Sequence, residues 1–227
     1  MNNNIPFIKM LDFAMLAYSN TPSSDIFERL HYEDATEIGV QFFIGKNWKT
    51  RQLIIAFRGT DSFQDFLTDM KFWRMSIPYG NSASKVRVHS GFCEAYQHFL
   101  VRDVIKTFIK DDVKDIYITG HSYGAALAML CALDLQYNFP DRYYEVVTFG
   151  CPRLGNRHFA KSYNKRVVKT IRFENGNDLV TKIPPAIFGF RHAGIRLHIG
   201  FMRILGIYNL KAHHAQSYYQ SLWNKVC

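Results

Sequence analysis

The chain alternates short apolar runs with amphipathic stretches. Over residues 7–18 the apolar positions recur with the interrupted spacing of an amphipathic helix. Residues 40–45 and 52–57 are short runs rich in β-formers, separated by the polar turn Lys46-Asn47-Trp48-Lys49, and read as paired strands. The second run is almost continuously apolar, as in a strand covered on both faces, and stops at Arg58-Gly59-Thr60. It therefore reads as a central strand that ends in a functional loop. From 62 to 75 the residues Phe63, Phe66, Leu67, Met70, Phe72 and Trp73 have an irregular helical spacing, followed by a turn-rich loop. Beyond it the pattern predicts a helix over 92–108, a strand over 115–119 and a helix over 125–137. Strands follow over 144–149 and 167–173, with an edge strand over 194–199 and a closing helix over 215–226. This alternation predicts an α/β fold around a sheet with parallel strands. No repeat or linker interrupts it, so a single domain over 1–227 is expected.

Composition sharpens this picture in three ways. With 227 residues, 48% hydrophobic and 21% charged, the chain can bury a full core and lacks the signature of disorder. The 28 Lys and Arg against 19 Asp and Glu leave a charge of +9, which favours contact with phosphates, nucleic acid or an anionic lipid surface without choosing among them. These basic residues are scattered, for example Lys46, Arg51, Lys71, Arg74, Lys165 and Lys169, so no dedicated nucleic-acid face is expected. Cys93, Cys131, Cys151 and Cys227 show no paired metal-ligand spacing, and Cys131 lies in an apolar run that suits a buried thiol. The start is polar and leads into a helix rather than a signal peptide, and no stretch is apolar enough to span a bilayer. The expectation is a soluble, intracellular protein.

The clearest chemistry lies at Gly120-His121-Ser122-Tyr123-Gly124, a G-x-S-x-G sequence between a predicted strand and a predicted helix. That is the setting of a nucleophile elbow, in which Ser122 occupies a sharp turn and the helix N-terminus favours developing negative charge. The competing reading is a glycine-containing turn with a capping serine, so a base and an orienting acid are also required.

Five segments in order make the chain resemble the class 3 (fungal-type) lipases of the α/β-hydrolase superfamily. They are Phe57-Arg58-Gly59-Thr60, Val88-His89-Ser90-Gly91-Phe92, Thr119-Gly120-His121-Ser122-Tyr123-Gly124, Thr148-Phe149-Gly150-Cys151-Pro152-Arg153-Leu154-Gly155-Asn156, and Asn177-Asp178-Leu179-Val180 with Ile183-Pro184-Pro185. The resemblance implies an α/β-hydrolase fold: a central, mostly parallel sheet flanked by helices, with a lid-like helical segment. It also implies that Asp178 is the triad acid, which would fix the base's tautomer and stabilise its imidazolium. In the Ser, Asp, His order of these hydrolases the base comes last, which leaves His213 or His214. The family's His-to-Tyr spacing of five is met by His213 with Tyr218 and by His214 with Tyr219; His213 is preferred. His89, His121, His192 and His198 read as structural.

The resemblance further places the oxyanion donors at Thr60 and at the Tyr123 backbone N–H, with Asp69 orienting Thr60. Residues 61–67 match the family's lid helix, with Phe63 and Phe66 as lid residues and Phe66, standing where Trp is usual, over the acyl site. Tyr123 and Ala125 replace the family's Leu and Gly, a change that bears on pocket width rather than mechanism. The expected activity is carboxylic-ester hydrolysis of lipids, an acylglycerol first, with no metal or organic cofactor. Alternatives are a phospholipase A1-like activity, a soluble-ester (feruloyl-type) esterase, or a non-catalytic domain that docks on an anionic membrane.

Overall fold

The structure, a computed structural model, describes residues 5–19, 22–60, 74–77, 81, 83–201 and 208–226. Its centre is a seven-stranded sheet in the order β1-β2-β3-β6-β7-β8-β9. Strands β1 (Arg29–Ala35), β2 (Val40–Asn47) and β3 (Gln52–Phe57) pair antiparallel. From β3 onward every neighbour is parallel, through β6 (Asp115–His121), β7 (Tyr143–Phe149), β8 (Lys169–Asn175) and β9 (Ile195–Ile199). A separate two-stranded ribbon joins β4 (Arg74–Ser76) to β5 (Arg87–His89).

The period of two along the strands divides the core. On β3, Leu53, Ile55 and Phe57 face one helical layer, while Ile54 and Ala56 face the other. The first layer contains α2 (Ser90–Gln97), α3 (Phe99–Thr107), α4 (Tyr123–Asn138) and α5 (Arg157–Arg166). The second contains α1 (Phe7–Leu16) and α6 (Ala215–Val226). All six residues of β3 are buried, as its unbroken apolar run predicts. Helix α4 is buried almost all round from Gly124 to Leu133, which makes it an internal helix rather than a surface one. Asn156 caps α5, its side chain accepting the Phe159 N–H at 2.9 Å.

Two sequence expectations need correction. The helix expected over 92–108 is two helices, separated at His98, whose ψ of 139° is extended. The buried residues explain the break: α2 buries Phe92, Cys93 and Tyr96, α3 buries Val101 and Ile105, and a helix continued from Tyr96 would not bring Val101 onto the same face. The helical spacing read as far as Met75 does not extend over Arg74 and Met75, because Arg74–Ser76 pairs as a strand with Arg87–His89. The remainder of that segment, residues 61–73, lies outside the described residues, and with it Phe63, Phe66 and Asp69. Strand β1 was not anticipated: as an edge strand it alternates polar and apolar residues too weakly to stand out. The expected edge strand over 194–199 is β9, paired parallel to β8.

Candidate active site

Parallel strands place their C-terminal ends together, and the candidate residues gather there. Strand β6 ends at His121, α4 begins at Tyr123, and Ser122 between them holds φ 59° and ψ −124°. A non-glycine residue at positive φ carries strain, as a nucleophile elbow requires. The flanking glycines make the turn possible. A Cβ on Gly124 would meet the carbonyls of Phe57 and Arg58, and one on Gly120 would meet the Gly124 carbonyl. The Ser122 N–H donates to Phe149 O at 2.9 Å, which ties the elbow to the end of β7. Its side chain makes no capping hydrogen bond to α4, so the capping reading does not hold. The serine is 2% exposed, and its Oγ has no hydrogen-bond partner among the described residues.

Asp178 lies in the turn that follows β8 and is 1% exposed. Its Oδ1 accepts the Val180 N–H at 2.8 Å, an Asx turn that fixes the carboxylate plane. Its Oδ2 receives His213 Nδ1–H at 2.9 Å and the Tyr218 hydroxyl at 2.6 Å. Because a carboxylate only accepts, His213 carries its hydrogen on Nδ1 and presents Nε2 as the basic nitrogen. Burial and the neighbouring Asp178 hold the Tyr218 phenol well above its ordinary pKa, so it remains a donor.

His213 ends a short 3-10 turn, Lys211–His213, and is buried, whereas His214 beside it is exposed. The turn is anchored on both sides. Asn175 Nδ2 donates to Ala212 O at 2.9 Å, and Asn209 Oδ1 accepts the Ala212 N–H at 2.8 Å. Gly150, at φ 63°, lies so close to the imidazole that an added Cβ would be 2.7 Å from His213 Cε1. Thr60 follows Gly59, whose added Cβ would stand 3.3 Å from Ser122 Cβ, so the loop leaving β3 runs beside the serine. Tyr123 opens α4, and its backbone N–H belongs to the positive end of the helix.

His89 and His192 hold structure. His89 is buried against Phe92, with ring centroids 4.6 Å apart. His192 Nε2–H donates to Thr181 O at 2.8 Å, and burial with the nearby Arg172 pushes its pKa down to about 3. The sequence used Tyr218 only for its spacing from His213 and carried no signal that its hydroxyl reaches Asp178. Nor did it signal a charged cluster under the Asp178 turn. There Glu174 meets Arg172, Lys182 and Arg196, each at 3.0 Å. Burial opposes ionisation of Glu174, but Arg172, Lys182 and His192 outweigh it and hold the carboxyl down at about 2. Among the described residues no group of His, Cys, Asp and Glu is placed to hold a metal ion. No helix of the described residues is long and apolar enough to cross a membrane.

A strained serine turn between a parallel strand and a buried helix, with later Asp and His residues hydrogen-bonded at the same sheet end, defines an α/β-hydrolase fold. Residues 54–188 match the model of the Lipase (class 3) family, and the chain belongs to that family. A lipase of Rhizomucor miehei is 35% identical over 150 residues, which cover 63% of this chain and 40% of the relative. A chloroplastic phospholipase A(1) of Arabidopsis thaliana is 32% identical over 154 residues, covering 60% of this chain and 34% of the relative. The matches thus span less than half the length of either relative. The structure of the Rhizomucor miehei lipase propeptide complex superposes with a TM-score of 0.72 at 27% identity, covering 85% of this chain and 67% of that one.

Proposed function

We propose that this protein hydrolyses carboxylic esters of lipids through an acyl-enzyme, with Ser122 as nucleophile, His213 as base and Asp178 as the orienting acid. The observation that carries the reading is the 2.9 Å Asp178–His213 hydrogen bond at the sheet end where Ser122 is held at φ 59°. Ser122 Oγ attacks the ester carbonyl carbon while Nε2 of His213 takes its proton. The imidazolium is stabilised by Asp178, and the oxyanion is met by the Tyr123 backbone N–H and by Thr60. Collapse of the tetrahedral adduct breaks the ester C–O bond, and His213 returns the proton to the leaving alcohol. Water then attacks the acyl-serine with the same base and releases the fatty acid.

The relatives named as lipases favour an acylglycerol. The phospholipase A(1) relative and the +9 charge favour a second reading, in which the acyl ester of an anionic phospholipid is cut. Activity on a chain-length series of p-nitrophenyl esters, then on emulsified triacylglycerol and on phospholipid vesicles, separates these substrates. Ser122→Ala is expected to lower kcat by roughly 10⁴-fold or more on every substrate the native protein cleaves. Equal turnover by the native protein and Ser122→Ala would remove the serine from the mechanism.

A further inference from the structure

Two side chains beyond the serine, base and acid converge on His213. His121, the last residue of β6, is 5% exposed, and its Nε2 lies 2.8 Å from the backbone oxygen of His213. Its ring stacks on the His213 ring, with centroids 4.6 Å apart and planes 26° from parallel. On the other side its Nδ1 lies 3.2 Å from the hydroxyl of Tyr18, just beyond α1. Tyr18 is itself held in place. Its N–H donates to Met15 O at 3.0 Å, the Arg58 guanidinium lies 5.4 Å from the centre of its ring, and Gly59 leaves space for its hydroxyl where a Cβ would collide.

The hydrogens follow from chemistry. A carbonyl only accepts, so His121 carries its hydrogen on Nε2 and donates to His213 O. In a neutral ring Nδ1 is then the acceptor, and the Tyr18 O–H donates to it. Burial, and next the adjacent His213, push the pKa of His121 down to about 3, so the ring stays neutral while the base cycles through its cation. A neutral ring stacked on an imidazolium attracts it through its π face, whereas a second cation would repel it.

The geometry points to Tyr18 and His121 as positioning residues of the base: the Tyr18 hydroxyl holds the His121 ring by donating to Nδ1, and His121 fixes the backbone and ring plane of His213. This rests on the proposed role of His213. It also extends the site to Tyr18, just beyond α1 and outside the family-matched residues 54–188. Among the described residues, the charged and titratable groups near His213 include Asp178 from the turn after β8, Tyr218 of α6 acting through Asp178, His121 of β6, and His214 next in the chain. Arg58 and Tyr18 stand behind His121.

The test combines kcat, KM and the pH profile of kcat/KM on a soluble p-nitrophenyl ester with the NMR titration of the His213 Cε1–H in the absence of substrate. Tyr18→Phe keeps the ring and its packing; His121→Gln keeps an N–H within reach of the carbonyl; His121→Ala removes both donor and stack. Tyr18→Phe is expected to lower kcat on the order of 10-fold with KM within twofold, and His121→Ala to lower it further, with His121→Gln between them. The His213 titration and the acid limb of the profile should move to lower pH in His121→Ala. Native kcat in Tyr18→Phe with an unmoved His213 titration in His121→Ala would overturn the assignment. So would a kcat loss accompanied only by a lower thermal midpoint, since that marks a packing role. The NMR titration needs no turnover, so a native protein inactive on every ester would defeat the functional proposal while leaving this assignment open to its own test.

Discussion

At the scale of single residues, the site depends on close approach. Gly150 illustrates this, because its positive φ and its distance from His213 are separate constraints on one position. Gly150→Ala would put a methyl group 2.7 Å from His213 Cε1 and 3.1 Å from Asp178 Oδ2, forcing the imidazole aside. Misplacing a base by about 1 Å can cost on the order of 10²-fold, so kcat is expected to fall by about that factor with KM little changed. Steady-state kinetics on a soluble ester check this, and an unchanged kcat would show that the ring has room to yield. Asp178 has a comparable economy of atoms: one oxygen holds its own turn and the other holds the base.

At the scale of elements, the Asp178 turn is fastened from beneath. Lys182, four residues after Asp178, pairs with Glu174 on β8, while Arg153 Nη1 donates to the carbonyls of Lys182 and Pro184, the latter at 2.9 Å. Glu174 is also the partner of Arg172, which is 3% exposed. Glu174→Gln would leave Arg172 buried without its counter-charge and loosen Lys182. Breaking a buried pair in this way typically costs about 3–5 kcal/mol. The expected result is a loss of that size in urea unfolding together with reduced kcat, since the acid's turn loses an anchor. A loss below about 1 kcal/mol would show that the cluster is well hydrated.

At the scale of the whole molecule, the buried ionisable groups set an acid limit. His121 and His192 are held down at about 3 from an ordinary 6.5, so between those values the unfolded chain binds protons that the folded protein does not. Stability is therefore expected to decline as pH falls below about 6.5, these two residues together contributing up to about 2.7 kcal/mol per pH unit. Glu174 acts in a lower window: its contribution is complete above 4.5 and is lost as pH falls towards about 2. Urea unfolding at a series of pH values from 7 to 5 measures the slope. His192→Gln should remove about half of the part due to the two histidines, and an unaltered slope would show that His192 ionises within the fold.

The sequence by itself determined the order of most elements and the identity of the elbow, because these depend on local signals. The unbroken apolar run of β3, the strand-to-helix change around Ser122 and the all-apolar face of α4 are written within a few residues of chain. It also reduced the base to two adjacent histidines, whose equal claims on Tyr218 and Tyr219 no spacing rule could separate. Tertiary structure decided between their environments by burying His213 on Asp178 and leaving His214 exposed. It likewise decided the break at His98, the pairing of Arg74–Ser76, the Tyr218 hydroxyl on Asp178 and the reach of Tyr18 to His121. Each of these joins residues whose meeting depends on how whole elements pack, Tyr18 and His121 being 103 positions apart, and no local periodicity encodes such a meeting.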